Sequence, residues 1–211
     1  MKVNEVFKSI QGESSFTGIP FVFVRFTGCN LRCTYCDTTY AYEEGLEIGK
    51  EELIKKIDSY GLKSVEITGG EPLLQEEVHS LVDTLIKKNY RVLVDTNGTR
   101  DISTLNDKVI RIMDIKCPGS GETDEMMWKN IDNLRDKDEV KFVIMDLNDY
   151  EWAKNITSKY SITEKVLVNF SPAHGFLKPQ KLAEWILKDN LEVRFNLQLH
   201  KYIWPGVQRG V

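Results

Sequence analysis

The stretch GCNLRCTYCDT, Gly28 to Thr38, carries Cys29, Cys33 and Cys36 in a C-x3-C-x2-C pattern and gathers three of the chain's four cysteines into eight residues. Thiolates this close imply a shared metal site. A cubane 4Fe-4S cluster normally takes four cysteines, so three leave one iron open to a ligand that is not protein. Zinc is the first rival, because short-spaced cysteines also build tetrahedral zinc sites. Such sites usually add a second Cys/His pair. Here Cys117 stands alone in DIKCP, and His79, His174 and His200 are far apart in sequence. A disulfide framework fits less well, since three clustered cysteines cannot pair off and no secretory segment precedes them.

Outward from this loop, short β-rich runs alternate with amphipathic helices. FVFVRF supplies a strand just before the cysteines; VEIT, RVLVDT, VIRIMDI, EVKFVIM, KVLVNF and EVRFNLQLH follow it. Between them, Leu53, Ile54 and Ile57 recur at helical spacing, as do Val78, Leu81, Val82, Leu85 and Ile86. Trp152, Ala153, Ile156 and Tyr160 repeat the pattern, and so do Leu182, Trp185 and Ile186. Alternating strands and helices predict an α/β fold: a partial, open parallel β/α barrel of about six strands with flanking helices. With no linker or shift in composition, residues 1–211 are expected to form a single domain. Polar residues collect where the strands end, at Thr68, Asp95 to Asn97, Lys116, Asn169 and His200. In parallel barrels that rim carries the active site. In the last run Arg194, Asn196, Gln198 and His200 alternate with apolar residues, so one face of that strand is expected to point into the barrel or, at an edge, into solvent.

The 28 basic and 32 acidic residues include no Lys/Arg tract, which argues against a direct nucleic-acid partner. No apolar run approaches a membrane span, and the N-terminus lacks a signal-peptide pattern. A reducing cytoplasm is the expected setting, and Cys117 reads as a buried free thiol.

The cysteine loop followed by a strand ending in Gly69-Gly70-Glu71-Pro72 resembles the radical S-adenosylmethionine (SAM) superfamily. The resemblance implies a 4Fe-4S cluster on Cys29, Cys33 and Cys36, with SAM on the open iron. Gly70 and Glu71 would hold the SAM amino group. Two glycines permit a close backbone approach, and a carboxylate suits an ammonium. Tyr35 would lie near the adenine, with Cys36, Asp37, Asp114, Lys116, Asn169 and Ser171 also binding the cofactor.

Within the superfamily, the segment Ser9 to Glu13 (SIQGE), Arg25, the CDT of Cys36 to Thr38 and the terminal LQLHKY resemble the 7-carboxy-7-deazaguanine synthase family over most of the chain. That family converts 6-carboxy-5,6,7,8-tetrahydropterin to 7-carboxy-7-deazaguanine with loss of ammonia, on the route to queuosine and other deazapurines. The resemblance implies a radical SAM lyase whose pterin is bound by Ile10, Gln11, Gly12, Glu13, Arg25, Thr68 and His200. Gln11 and Glu13 can complement an amide and an amino group, and Arg25 offers a planar fork to a carboxylate. It further implies a magnesium ion on Thr38, with substrate and water oxygens completing the sphere. A flavodoxin or ferredoxin as electron donor and a homodimer complete the picture. Two other readings remain open at this point. One is an activase that installs a glycyl radical in a partner protein; the other is a non-catalytic iron-sulfur carrier or zinc module, which needs neither a SAM cradle nor a deep polar cavity.

Overall fold

The alternating runs assemble into one nine-stranded sheet in a computed structural model that describes residues 1–211. β1 (Lys2–Ile10) and β2 (Pro20–Phe26) form an antiparallel hairpin, edged by the two-residue β3 (Leu46–Glu47). From β2 onward every pairing is parallel, through β4 (Ser64–Gly69), β5 (Arg91–Thr96), β6 (Ile110–Asp114), β7 (Glu139–Ile144), β8 (Leu167–Pro172) and β9 (Arg194–Phe195). The order is β3-β1-β2-β4-β5-β6-β7-β8-β9, an open sheet with parallel strands in chain sequence. Parallel neighbours require crossover connections. Four of these contain helices, α1 (Lys50–Ser59), α2 (Glu77–Lys87), α3 (Leu147–Lys159) and α4 (Pro179–Lys188).

The period of two along each strand sorts the two faces of the sheet. Val22, Val24, Val65, Ile67, Val92 and Val94 pack with Leu53, Ile57, Val78, Leu81 and Leu85 of α1 and α2. Val140, Phe142, Ile144, Val168 and Phe170 pack with Tyr150 and Ala153 of α3 and with Leu182 and Ile186 of α4. Each fully buried aliphatic or aromatic side chain contributes about 1.5–3 kcal/mol. The alternate residues, among them Arg25, Glu66, Thr68, Asp95, Asp114 and Lys141, lie on the opposite face and line a cavity.

Three features depart from the sequence expectation. The crossovers from β5 to β6 and from β6 to β7 carry only 3-10 turns, at Ile102–Thr104, Pro118–Ser120, Thr123–Glu125 and Trp128–Asn133, so the strand and helix repeat lapses there. β1 has no counterpart in the expected elements, because its polar residues and a register irregularity between Val3 and Glu5 blur the alternation. The run EVRFNLQLH is a strand only at Arg194–Phe195. After Asn196 donates its N–H to the Phe170 carbonyl, the chain leaves the sheet. The Leu199 N–H then bonds the Gly12 carbonyl at 2.8 Å, and a short helix, α5 (Leu199–Ile203), begins. His200 therefore sits on a helix, not at a strand end. The polar inward face expected of this last strand belongs instead to the central strands.

Candidate active site

The cysteine loop leaves β2 at Gly28, whose φ of +99° lies in the region that favours glycine. Its entry is pinned by the Gly28 N–H to Ala41 carbonyl bond and by the Glu71 N–H, 2.7 Å from the Gly28 carbonyl. Its far side is held by Thr34, which bonds the Ser120 and Gly119 carbonyls, and by Leu31, which is 1% exposed. Cys29, Cys33 and Cys36 are unpaired, half-buried thiols facing one cavity together with Tyr35. Burial pushes the Cys33 thiol up to about 11, so metal loading must displace its proton. No three His, Cys, Asp or Glu side chains converge as they would on a single ion. Three thiols on one cavity suit a cluster in which each cysteine ligates its own iron.

The glycines of the GGEP turn serve packing first. A Cβ on Gly69 would strike the Phe26 backbone, and one on Gly70 would strike the Gly28 carbonyl and lie 2.8 Å from the Cys29 Cβ. The turn is thus seated directly on the cysteine loop. Glu71 departs from its expected role, because its carboxylate is fully buried and does not line the cavity. It accepts from the Leu73 N–H at 3.0 Å, the Thr96 hydroxyl at 2.9 Å and the Asn97 N–H at 2.6 Å. Burial raises this carboxyl to about 7 even against those donors. What the turn presents to the cavity is the Gly69-Gly70 backbone.

Asp114 and Lys116 line the cavity beside the cysteines and pair at 2.7 Å. The Tyr35 hydroxyl and Asp114 Oδ1 are buried with no hydrogen-bond partner, two polar atoms left for a ligand such as SAM. Asn169 and Ser171, expected on the same side, do not line the cavity. Asn169 Nδ2 donates to Glu139 at 2.7 Å, and the Ser171 hydroxyl accepts from Asn196 Nδ2 at 3.3 Å. Ala173 and His174, further along the chain, line it instead.

Across the cavity the end of β1 contributes Ile10, and the β1–β2 connection contributes Gln11, Gly12 and Glu13. Gln11 is held at both ends of its amide: Oε1 accepts the Glu13 N–H at 3.0 Å, and Nε2 donates to Glu66. Glu13 accepts from Gln198 Nε2 at 2.8 Å and pairs with Lys141 Nζ at 3.0 Å. Lys141 also lies 3.7 Å from Asp95 and 3.8 Å from Asp114. Burial works to lower this lysine, but its three carboxylates outweigh that and hold it well above its ordinary value. The same ammonium keeps Glu13 below the usual carboxylate range despite burial. Glu66 goes the other way, pushed up to about 8 by burial and by the Asp95 carboxylate, so it is largely a neutral acid at pH 7.

Arg25 Nε bonds Glu5 Oε1 at 2.7 Å, and its two terminal nitrogens make no bond within the chain. The Thr38 hydroxyl gives its proton to Asp37 Oδ1 at 2.8 Å, which leaves the oxygen's lone pairs for a cation. Asp37 in turn pairs with Lys201 at 2.8 Å. Thr68 donates to Asp95 at 3.4 Å. His200 packs so closely on Gly12 that no side chain fits there, and burial lowers the imidazole so that it is neutral at pH 7. The C-terminal residues close one side: Tyr40 Oη donates to the Gln208 carbonyl at 3.1 Å, the Gly210 N–H bonds Glu5 at 3.0 Å, and Val207, Gln208 and Val211 line the cavity.

Glu66 and Lys141 had no place among the expected site residues, and Gln198 was expected only as part of the polar face of the last run. The signal for the first two was present, since Glu66 and Lys141 interrupt β-rich runs at alternate positions, where a polar inner face would put them. Their pairing with Glu13 was not readable.

Residues 23–116 match the Radical SAM superfamily. Over 228 aligned residues the chain is 43% identical to the 7-carboxy-7-deazaguanine synthase of Koribacter versatilis, covering all of both chains. It is 42% identical to the synthase of that name from Chlorobaculum tepidum, covering 100% of this chain and 97% of the relative. In fold it is similar to the crystal structure of QueE from Escherichia coli, with a TM-score of 0.76 at 23% identity and 94% of each chain covered. Streptococcus suis SuiB bound to S-adenosylmethionine is a more distant likeness, at TM-score 0.58 and 15% identity, covering 88% of this chain and 54% of that one.

Proposed function

The chain belongs to the 7-carboxy-7-deazaguanine synthase family, and we propose that the cavity between the cysteine loop and the β1–β2 connection is where it contracts 6-carboxytetrahydropterin to 7-carboxy-7-deazaguanine with loss of ammonia. It is a radical SAM lyase. The observation that carries the placement is the division of one cavity into two chemistries. Three thiols with unpartnered Tyr35 and Asp114 atoms lie on one side, and a Gln11, Glu13 and Arg25 set lies on the other.

Cys29, Cys33 and Cys36 would hold the 4Fe-4S cluster, with Tyr35, Cys36, Asp37, the Gly70 backbone, Asp114 and Lys116 around SAM. Bound there, cluster and SAM would supply the radical chemistry of the reaction. The protein's own residues position and shield. Glu13, kept ionised by Lys141, accepts N–H donors of the pyrimidine ring, and Gln11 offers its remaining amide hydrogen and lone pair. The free fork of Arg25 takes the substrate carboxylate, beside which Thr38 would hold magnesium. Thr68 and the neutral His200 close the pocket, the imidazole able to donate at one ring nitrogen and accept at the other. Phe23, Ile10 and the C-terminal residues exclude water. A flavodoxin or ferredoxin donor, a homodimer and a cytoplasmic setting belong to the same proposal. No helix is long and apolar enough to cross a membrane.

An anaerobic assay of iron-reconstituted protein with SAM, reductant, magnesium and 6-carboxytetrahydropterin tests the reading, with deazaguanine followed by mass spectrometry. Product that disappears in Cys33→Ala, and loses its magnesium stimulation in Thr38→Ala with the cluster spectrum intact, is the expected result. SAM cleavage without deazaguanine would redirect the substrate to a protein partner.

A further inference from the structure

Outside the cavity lining, the buried Glu139 and Asn169 join the exposed Ser15 in a polar cluster. Glu139 is 1% exposed, and its carboxylate accepts from the Ser15 N–H at 3.0 and 3.1 Å, from the Ser15 hydroxyl, and from Asn169 Nδ2 at 2.7 Å. Three donors on one ionisable acid amount to a built anchor. Its position explains what it anchors. Glu139 and Lys141 are successive inward residues of β7, and they grip Ser15 and Glu13, successive alternate residues of the β1–β2 connection. The connection is thus laid along β7 in a set register, two strands of the hairpin being far from β7 in the sheet order. Its ends are closed by the Gln11 N–H to Ile19 carbonyl bond at 2.8 Å and the Gly18 N–H to Gln11 carbonyl bond at 2.9 Å. At its middle, Ser14 holds a φ of +61°, which a non-glycine residue keeps only when its surroundings impose it.

We propose that Glu139 is the positioning residue of the pterin-binding loop, and that Asn169, by orienting Glu139, serves the pterin and not SAM. The assignment rests on the pterin reading of the Gln11 to Glu13 segment. Neither Glu139 nor Asn169 lines the cavity, so their effect passes through the loop. Losing this anchor lets Glu13 drift from its place while the cysteine loop, held by Glu71 of the turn after β4 and by Gly119 and Ser120, stays put.

The test compares Glu139→Gln, Ser15→Ala and Asn169→Ala with wild type as reconstituted holoenzyme, reading pterin KM, SAM Kd and hydrogen exchange of residues 11–19. A hydrogen bond to a charged acceptor corresponds to roughly a tenfold effect. Glu139→Gln should therefore raise pterin KM about tenfold, and the other two by roughly threefold to tenfold, with SAM Kd within about twofold of wild type. Exchange in residues 11–19 should quicken while that of the cysteine loop does not. A raised SAM Kd in Asn169→Ala with pterin KM unmoved would overturn the assignment. Unchanged loop exchange in Ser15→Ala and Asn169→Ala would do so as well, even if Glu139→Gln failed to fold. A wild-type enzyme that makes no deazaguanine strikes the substrate reading alone, because loop exchange still reports on the anchor.

Discussion

Replacing Lys141 by methionine removes one ammonium from among three carboxylates, Glu13 at 3.0 Å, Asp95 at 3.7 Å and Asp114 at 3.8 Å, and keeps most of the side-chain volume. Lys141 is 9% exposed at its side chain and its partners no more than 26%, so water screens the loss poorly. Breaking a buried pair from one side costs about 3–5 kcal/mol, because the remaining charge is left uncompensated. The sign with pH follows from proton binding. In the wild type Glu13 is held below its ordinary value, so its contribution is present above about pH 4.5 and is lost as pH falls through the folded value. In Lys141→Met the main charge opposing burial is gone and only the Gln198 bond and His200 still favour the carboxylate, so Glu13 rises, folding takes up protons and stability falls as pH rises. The gap between the two proteins is therefore small at pH 5 and widest near pH 8. For a chain of this size each kcal/mol moves Tm by roughly 2–4 °C, which places the loss at pH 8 at about 6–20 °C, with less than half of it at pH 5. Anaerobic thermal unfolding at both pH values, with Lys141→Arg as the charge-conserving control, measures it. Equal losses at the two pH values, or a loss as large in Lys141→Arg, would refute the electrostatic account in favour of packing.

Two further outcomes are expected. Glu66, raised from 4.5 to about 8, binds its proton more tightly when folded, so its contribution is complete below pH 4.5 and is lost as pH climbs toward 8. Glu66→Gln should thus gain stability over wild type with rising pH, up to a few kcal/mol at about 1.4 kcal/mol per unit, and level off above pH 8; a constant offset in denaturant titrations would show that Glu66 is ionised at pH 7. Gly70→Ala would drive a Cβ into the Gly28 carbonyl, a backbone atom that cannot swing aside, at a cost of about 1–3 kcal/mol. Iron content after reconstitution should fall, and full loading with a normal cluster spectrum would mean that the turn does not seat the cysteine loop.

Much of the fold was legible because parallel strands buried under helices leave a strong mark. VEIT, RVLVDT and EVKFVIM are rich in β-branched residues, and helices such as α2 repeat their apolar positions every three or four residues. β1 escaped because an edge hairpin with Lys2, Asn4, Glu5 and Lys8 has no such density. EVRFNLQLH misled for the converse reason. Its alternation was real, yet an edge strand has one neighbour to bind it, and Gly12 competed for the chain at Leu199.

Chemistry followed the same division. The residues that choose the cofactor are neighbours along the chain, Cys29 to Thr38 and Gly69 to Glu71, so the cysteine spacing could point to an open iron, and the resemblance the two motifs carry together implied its ligand. Whether a side chain faces that ligand depends on partners distant in sequence. Glu71, 25 residues from Thr96, is turned inward by donors of β5, and Asn169 is turned onto Glu139, 30 residues away. Lys141 meets Glu13 across 128 residues, and that contact sets the charge of a residue the sequence had already singled out. Local spacing determined which groups this protein carries; only the folded sheet, by bringing β4, β5, β6 and β7 around one cavity, decided which of them are charged and which are free to bind.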